Sequence, residues 1–111
     1  MSRAESGRRA EDIAAKALAR RGYRILERNF RCRYGEIDCA AIKDGMLVIV
    51  EVKSGRGKLP YERIDENKRR RLATLAEVFA QRKGLEHLPV RFDAVIVDLE
   101  SDSVEIVEDA F

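Results

Sequence analysis

The sequence predicts a single α/β domain with the element order α-β-β-β-α-β-β. Three observations carry that expectation. Residues 6–21 and 65–83 each repeat apolar side chains at helical spacing between capping residues. Five shorter runs read as strands, and three of them lie together between the two helices. The chain has 111 residues, 45% hydrophobic and 38% charged. That is enough to bury one core, and too apolar for a disordered polymer.

In the first helix, Ser6 is the expected N-cap and Gly22 the stop. Ala10, Ile13, Ala14, Ala17 and Leu18 form the buried stripe. Glu11 sits at the edge of that stripe, so its carboxylate is aimed near the core boundary. The segment 23–30, YRILERNF, alternates as a strand does. Residues 36–42 and 47–53 are two more strands, and Asp44-Gly45 between them is a strong hairpin signal.

Residues 54–64, SGRGKLPYERI, form a loop that lacks the Gly-x4-Gly-Lys-Ser/Thr spacing of a phosphate loop. The second helix is capped by Asp65, buries Leu72, Leu75, Ala76 and Phe79, and stops at Gly84. Lys68, Arg69, Arg70 and Arg71 stand near its start, where each cation opposes the helix dipole by about 0.3–1 kcal/mol. A nearby anion would offset that cost. Residues 90–98 and 103–109 are the last strands, the first of them an aliphatic, buried run.

Composition excludes several classes. Cys32 and Cys39 lack metal-ligand spacing, which argues against a zinc site and a disulfide framework and for reduced thiols. The longest aliphatic run, MLVIV, is too short for a bilayer, and the N-terminal residues lack an apolar leader core. A cytoplasmic protein with no membrane partner is expected. The last twenty residues hold seven acids and none of the 22 cations, which leaves the rest of the chain strongly basic. That asymmetry suits a basic face toward a polyanion, or is ordinary solvated charge.

A two-residue turn at Asp44-Gly45 pairs Lys43 with Met46, Ile42 with Leu47, Ala40 with Ile49, Asp38 with Glu51 and Glu36 with Lys53. Alternation then puts Asp38, Ala40, Ile42, Leu47, Ile49, Glu51 and Lys53 on one face. Ile37, Cys39, Ala41, Val48, Val50 and Val52 lie on the other. Opposed carboxylates destabilise a sheet and raise each other's proton affinity. A divalent cation would compensate them. The alternative is that Lys53 merely neutralises Glu51 or Glu36 in a solvated ion cluster. Tyr23, Tyr34 and Tyr61 are candidate base-stacking or packing rings, and His87 is read as non-catalytic.

The order Asp38, twelve intervening residues, then Glu51-Val52-Lys53 resembles the PD-(D/E)xK motif of restriction-endonuclease-like nucleases. A glutamate on the first helix makes it similar to archaeal Holliday junction resolvases. The blocks GRRAEDIAAKALARRGYRILERNFR, GEID, VIVEVK, KRRRL, RFDAVIVD and EDAF look most like YraN-type bacterial proteins, and they span almost the whole chain. The resemblance implies a restriction-endonuclease-like core, a mixed central β-sheet flanked by helices, as one nuclease domain over residues 1–111. It implies a Mg²⁺- or Mn²⁺-dependent endonuclease acting on DNA, ahead of RNA, with branched or structured DNA included.

By the same resemblance, Glu11, Asp38, Glu51 and Lys53 would be catalytic. Asp38, Glu51, the Val52 carbonyl and Glu11 would be metal ligands. Arg8, Arg9, Arg56, Lys58, Lys68, Arg69, Arg70 and Arg71 would hold phosphates, with Lys68 near the scissile one or simply solvated. Resolvase-like relatives act as dimers, so a homodimer is admitted. The chain has SG after EVK where many relatives have a polar, basic pair, which changes the contacts of that loop. The alternatives are a nucleic-acid-binding protein of nuclease fold with little cleavage, or an adaptor using the acidic C-terminal stretch.

Overall fold

The computed structural model describes residues 2–57 and 66–111. Its elements are α1 (Arg3–Arg20), β1 (Arg24–Cys32), β2 (Gly35–Lys43), β3 (Met46–Gly55), α2 (Glu66–Lys83), β4 (Val90–Asp98) and β5 (Ser103–Val107), in the predicted order. The helix α1 begins a turn earlier than expected. Ser2, not Ser6, is its N-cap, and the Ser2 hydroxyl accepts the Glu5 N–H at 3.1 Å. Ser2 and Glu5 have the spacing of a capping box, so the first turn closes upstream of Ser6. The expected cap of α2, Asp65, and the loop residues 58–64 lie outside the described residues.

Both helices stop at the predicted glycines. Gly22 has φ of +86°, and the Tyr23 N–H reaches back to the Leu18 carbonyl at 3.0 Å. Gly84 repeats the device, with Leu85 N–H on the Ala80 carbonyl at 2.8 Å. Both are Schellman ends, in which the left-handed glycine lets the chain satisfy its last carbonyls.

The five strands form one mixed sheet in the order β1-β2-β3-β4-β5, antiparallel except for the parallel pair β3 and β4. On one face, Ala10, Ala14 and Leu18 of α1 pack on Cys39, Ala41, Val48, Val50, Val95 and Val97. On the other, Leu72, Leu75, Ala76 and Phe79 of α2 pack on Ala40, Leu47 and Ile49. The strand β3 is thus covered on both sides, which is why its sequence is an unbroken aliphatic run. Phe30 and Phe79 meet edge to face, their centroids 5.1 Å apart.

The β2–β3 hairpin has the predicted register from Lys43–Met46 through Ala40–Ile49, and it ends at Cys39–Val50. The expected ladder pairs Asp38–Glu51 and Glu36–Lys53 do not form. Beyond Cys39, β2 stays with β1, pairing Ile37 with Phe30 and Glu36 with Arg31. Meanwhile β3 stays with β4 as far as Gly55–Asp98. The sheet therefore forks.

The fork has a local cause. Asn29 is left-handed, with φ of +56°, between the pairs Arg28–Cys39 and Phe30–Ile37, whose register runs on unshifted; the bulge of this ladder lies earlier, between Ile25 and Glu27. Alternation reverses across Asn29. Arg28 and Cys39 face α1, with Arg28 paired to Asp12 at 2.8 Å, whereas Phe30 and Ile37 join the α2-side core. Ile37 was expected beside Cys39; the rolled ribbon carries it to the opposite face.

Candidate active site at the sheet fork

The fork opens between the end of β2 and the continuing β3, beneath the first turns of α2. A cleft of about 230 Å³ lies there, lined by Glu36, Asp38, Glu51, Lys68, Arg71 and Tyr34 among others. Asp38 reaches across the gap, and its Oδ2 accepts the Val52 N–H at 2.8 Å. That amide has lost its ladder partner on β2, so the carboxylate replaces a backbone carbonyl. Burial pushes the Asp38 carboxyl from its ordinary 3.8 up to about 6, against the Val52 hydrogen bond, and the charges of Glu51, Glu11 and Glu36 push the same way.

Glu51 comes from β3 on the α2 side. Its Oε1 meets Lys68 Nζ at 2.5 Å. Its Oε2 is buried and has no hydrogen-bond partner among the described residues. A buried carboxylate oxygen without a donor is costly, and a cation is the simplest group that would satisfy it. Val52 contributes its backbone at the same place. Among the described residues, no three carboxylate, imidazole or thiol groups stand close enough to hold an ion on their own. The donors present suit a hard cation held by the two acids and completed by water.

Glu11 approaches from α1, on the far side of the sheet. With its amide oriented to suit its neighbours, Asn29 donates to Glu11 Oε2 at 3.3 Å and to Glu36 Oε1 at 3.1 Å. The left-handed residue that rolls the ribbon thus also bridges two acids beside Asp38. Glu36 has a second partner in Arg31, 3.6 Å away. Neither residue was predicted as part of a site. An asparagine inside a strand, the side chain most tolerant of a left-handed backbone, was the available signal. Lys53 is half-buried two residues beyond Glu51, opposite Ile96, and outside the cleft lining.

The basic residues divide. Lys68 and Arg71 line the cleft, and Arg69 and Arg70 are exposed on the same turns of α2, where Arg70 lies 3.7 Å from Glu66. Arg8 is exposed on α1, on the opposite face. Arg9 is engaged elsewhere, bonded to the Leu99 carbonyl at 3.2 Å and to Asp102. Arg56 is exposed past the end of β3, where Gly57 N–H is tied to Asp98 at 2.9 Å. Lys58 lies outside the described residues.

A second polar centre went unpredicted. Asp93 on β4 is 0% exposed. It accepts Tyr23 Oη at 2.7 Å, a bidentate Arg91 guanidinium at 2.9 Å, and the Asp109 N–H at 2.9 Å. Burial and the Asp93 charge drive the Tyr23 hydroxyl well above its usual range, and the bond to Asp93 does the same for Arg91. The next link, Ala110 N–H to the Phe92 carbonyl at 2.8 Å, pins the EDAF segment to β4. Asp98 is likewise used internally, held low by the N–H groups of Glu100 and Gly57. Of the seven acids in the C-terminal stretch, Asp93 and Asp98 are thus used within the fold, whereas Glu100, Asp102, Glu105, Glu108 and Asp109 are exposed. Both cysteines are free, with the Cys39 thiol pushed up to about 11 by burial. No helix among the described residues is long and apolar enough to cross a membrane.

The sequence profile described as "Uncharacterised protein family UPF0102" matches residues 10–97. A UPF0102 protein of Thermotoga neapolitana is 53% identical over 91 residues, covering 81% of this chain and 84% of the relative. One from Syntrophus aciditrophicus is 40% identical over 111 residues, covering 96% and 87%. One from Moorella thermoacetica is 40% identical over 118 residues, covering 100% and 98%.

Proposed function

The chain belongs to the uncharacterised family UPF0102, and we propose that it is a metal-dependent endonuclease that hydrolyses phosphodiester bonds in DNA, branched or structured DNA included. The observation that carries this reading is the unsatisfied, buried Glu51 Oε2 beside Asp38 in a cleft open to water. That oxygen is the acceptor that an entering cation would satisfy.

In this reading Asp38, Glu51 and the Val52 carbonyl would hold Mg²⁺ or Mn²⁺, with Glu11 as an outer partner. When bound, the ion supplies charge neutralisation and an acidified water. Asp38 must give up its proton to take part, and the Val52 N–H fixes its orientation. By the resemblance to PD-(D/E)xK nucleases, Lys53 would orient the attacking water and meet the charge that grows on the phosphorus oxygens, reaching in from outside the cleft lining. Lys68 draws the scissile phosphate toward Glu51. Arg69, Arg70 and Arg71 hold flanking phosphates without reading sequence, so affinity falls as salt rises.

A second reading, a nucleic-acid-binding protein of the same fold that cuts little, is favoured by the Lys68–Glu51 pair and by the absence of three converging ligands among the described residues. The experiment that separates the two is cleavage of a panel of linear, branched and single-stranded DNA and RNA with Mg²⁺ or Mn²⁺. Wild type cuts; Asp38→Ala and Lys53→Ala lose about a hundredfold or more in rate. Cleavage that survives both substitutions removes the nuclease reading. Salt-sensitive binding without cutting by the wild type establishes the second.

A further inference from the structure

The turn that joins β1 to β2 has two residues, Arg33 and Tyr34, between the paired Cys32 and Gly35. It projects at the mouth of the cleft. Tyr34 is 40% exposed and lines the same cleft as Asp38 and Glu51. The other exposed large hydrophobics among the described residues, Leu26 and Val90, are not part of that lining. Of the other tyrosines, Tyr23 is buried against Asp93, and Tyr61 lies outside the described residues.

The ring is held rather than loose. The Arg33 guanidinium lies 4.8 Å from its centroid, and Arg33 donates to its hydroxyl at 2.5 Å. The wall opposite is basic. A Cβ on Gly35 would stand 3.9 Å from Arg71 Cδ, so the Arg71 stem runs directly over the turn. A clamped, half-exposed aromatic face thus borders a cleft that also presents Lys68 and Arg71.

A ring in this setting meets nucleic acid in one useful way. Bases stack on aromatic faces, and phosphates follow the cations. In a duplex, each base face is already covered by its neighbours, and a side chain outside the helix reaches only edges and backbone. The face is available where a nucleotide is unpaired.

We infer that Tyr34 is the stacking platform of a subsite for an unpaired nucleobase, whose phosphate is taken by Lys68 and Arg71, so that the substrate class is DNA with an unpaired nucleotide at the point of attack. This rests on the nuclease reading for the use of the cleft, but it is tested without cleavage. The turn is exposed, so substitutions there leave the core intact.

The experiment is equilibrium binding in EDTA, read by fluorescence anisotropy, of a labelled single-stranded oligonucleotide and of the same strand annealed to its full complement as a blunt, loop-free duplex. Tyr34→Ala is expected to weaken the single strand about tenfold or more and the duplex less than twofold, while Tyr34→Phe stays near wild type. Because the chain has no tryptophan, Tyr34→Trp supplies a unique emission, expected to be quenched by the single strand and not by the duplex. Equal weakening of both ligands, no weakening of either, or an unquenched tryptophan overturns the inference. Wild type that binds no nucleic acid overturns it together with the nuclease reading. Selective loss in Tyr34→Ala with no cutting by any form leaves the subsite standing and removes only the cleavage.

Discussion

Lys68 Nζ and Glu51 Oε1 meet at 2.5 Å, so the first turn of α2 is tied to the strand that carries the exposed end of the cleft. A cation entering beside Glu51 Oε2 would share that carboxylate with the ammonium. Lys68→Gln removes the competitor. It is expected to tighten Mn²⁺ binding a few-fold, within the ~0.2–1 kcal/mol range of partly exposed pairs, while slowing any DNA cleavage. Calorimetric titration of the metal-free protein reads the first effect. Unchanged or weaker Mn²⁺ binding would show that the ion does not sit at Glu51.

Asp38 makes stability depend on pH in a stated direction. Its folded-state pKa is raised, to about 6, so between roughly pH 4 and 6 the folded protein holds a proton that the unfolded chain has lost. Stability therefore falls as pH rises through this window. In EDTA, Asp38→Asn should melt about 4 °C or more above wild type at pH 8, since the amide keeps an acceptor for Val52 without the charge. The difference should vanish near pH 4. An equal gain at both pH values would place the effect elsewhere.

Asn29 separates backbone from side chain. Asn29→Gly keeps the left-handed conformation and loses the amide; Asn29→Ala loses both, at a further cost of about 1–2 kcal/mol. Urea unfolding should rank wild type and the glycine variant close together, with the alanine variant below. Both variants should weaken Mn²⁺ binding alike, because Glu11 and Glu36 lose their bridge. Intact metal binding in the glycine variant would leave the amide no part in holding the acids.

The Asp93 centre is a matter of folding. Asp93→Ala strands the Arg91 guanidinium, the Tyr23 hydroxyl and the Asp109 N–H, at a cost of about 3–5 kcal/mol. Asp12→Ala, at the partly exposed pair with Arg28 and on ordinary helical backbone, should cost under about 1 kcal/mol. Denaturant midpoints compare the two, and a small loss at Asp93 would mean that the network is held by something else.

Much of this fold was legible because independent signals agreed. Asp44-Gly45 set the hairpin register, because a two-residue turn fixes which residues face each other, so Ala40–Ile49 and its neighbours paired as expected. Gly22 and Gly84 ended their helices for the same backbone reason. The fork was not legible. It depends on a left-handed Asn29; an asparagine in a strand is the one hint the sequence offers, and its type alone does not say that the backbone turns there. Asp38 and Glu51 therefore converge by a route other than ladder pairing. Asp93 was hidden for another reason. Its partners Tyr23 and Asp109 are remote in sequence, and a carboxylate satisfied at a distance looks locally like a solvated one.

The divergence of β2 from β3 has a mechanical consequence. The two acids ride on separate arms, one hinged with β1 and the other seated on β4, and the Asp38–Val52 hydrogen bond spans the gap between them. Spreading of the arms alters the distance between the acids at once, and α2 resists it, because Phe30 and Ile37 of one arm and Glu51 of the other all contact that helix. A bound ion would act as a clasp on a jaw, and its arrival would be felt first as slowed solvent exchange of the Val52 amide proton.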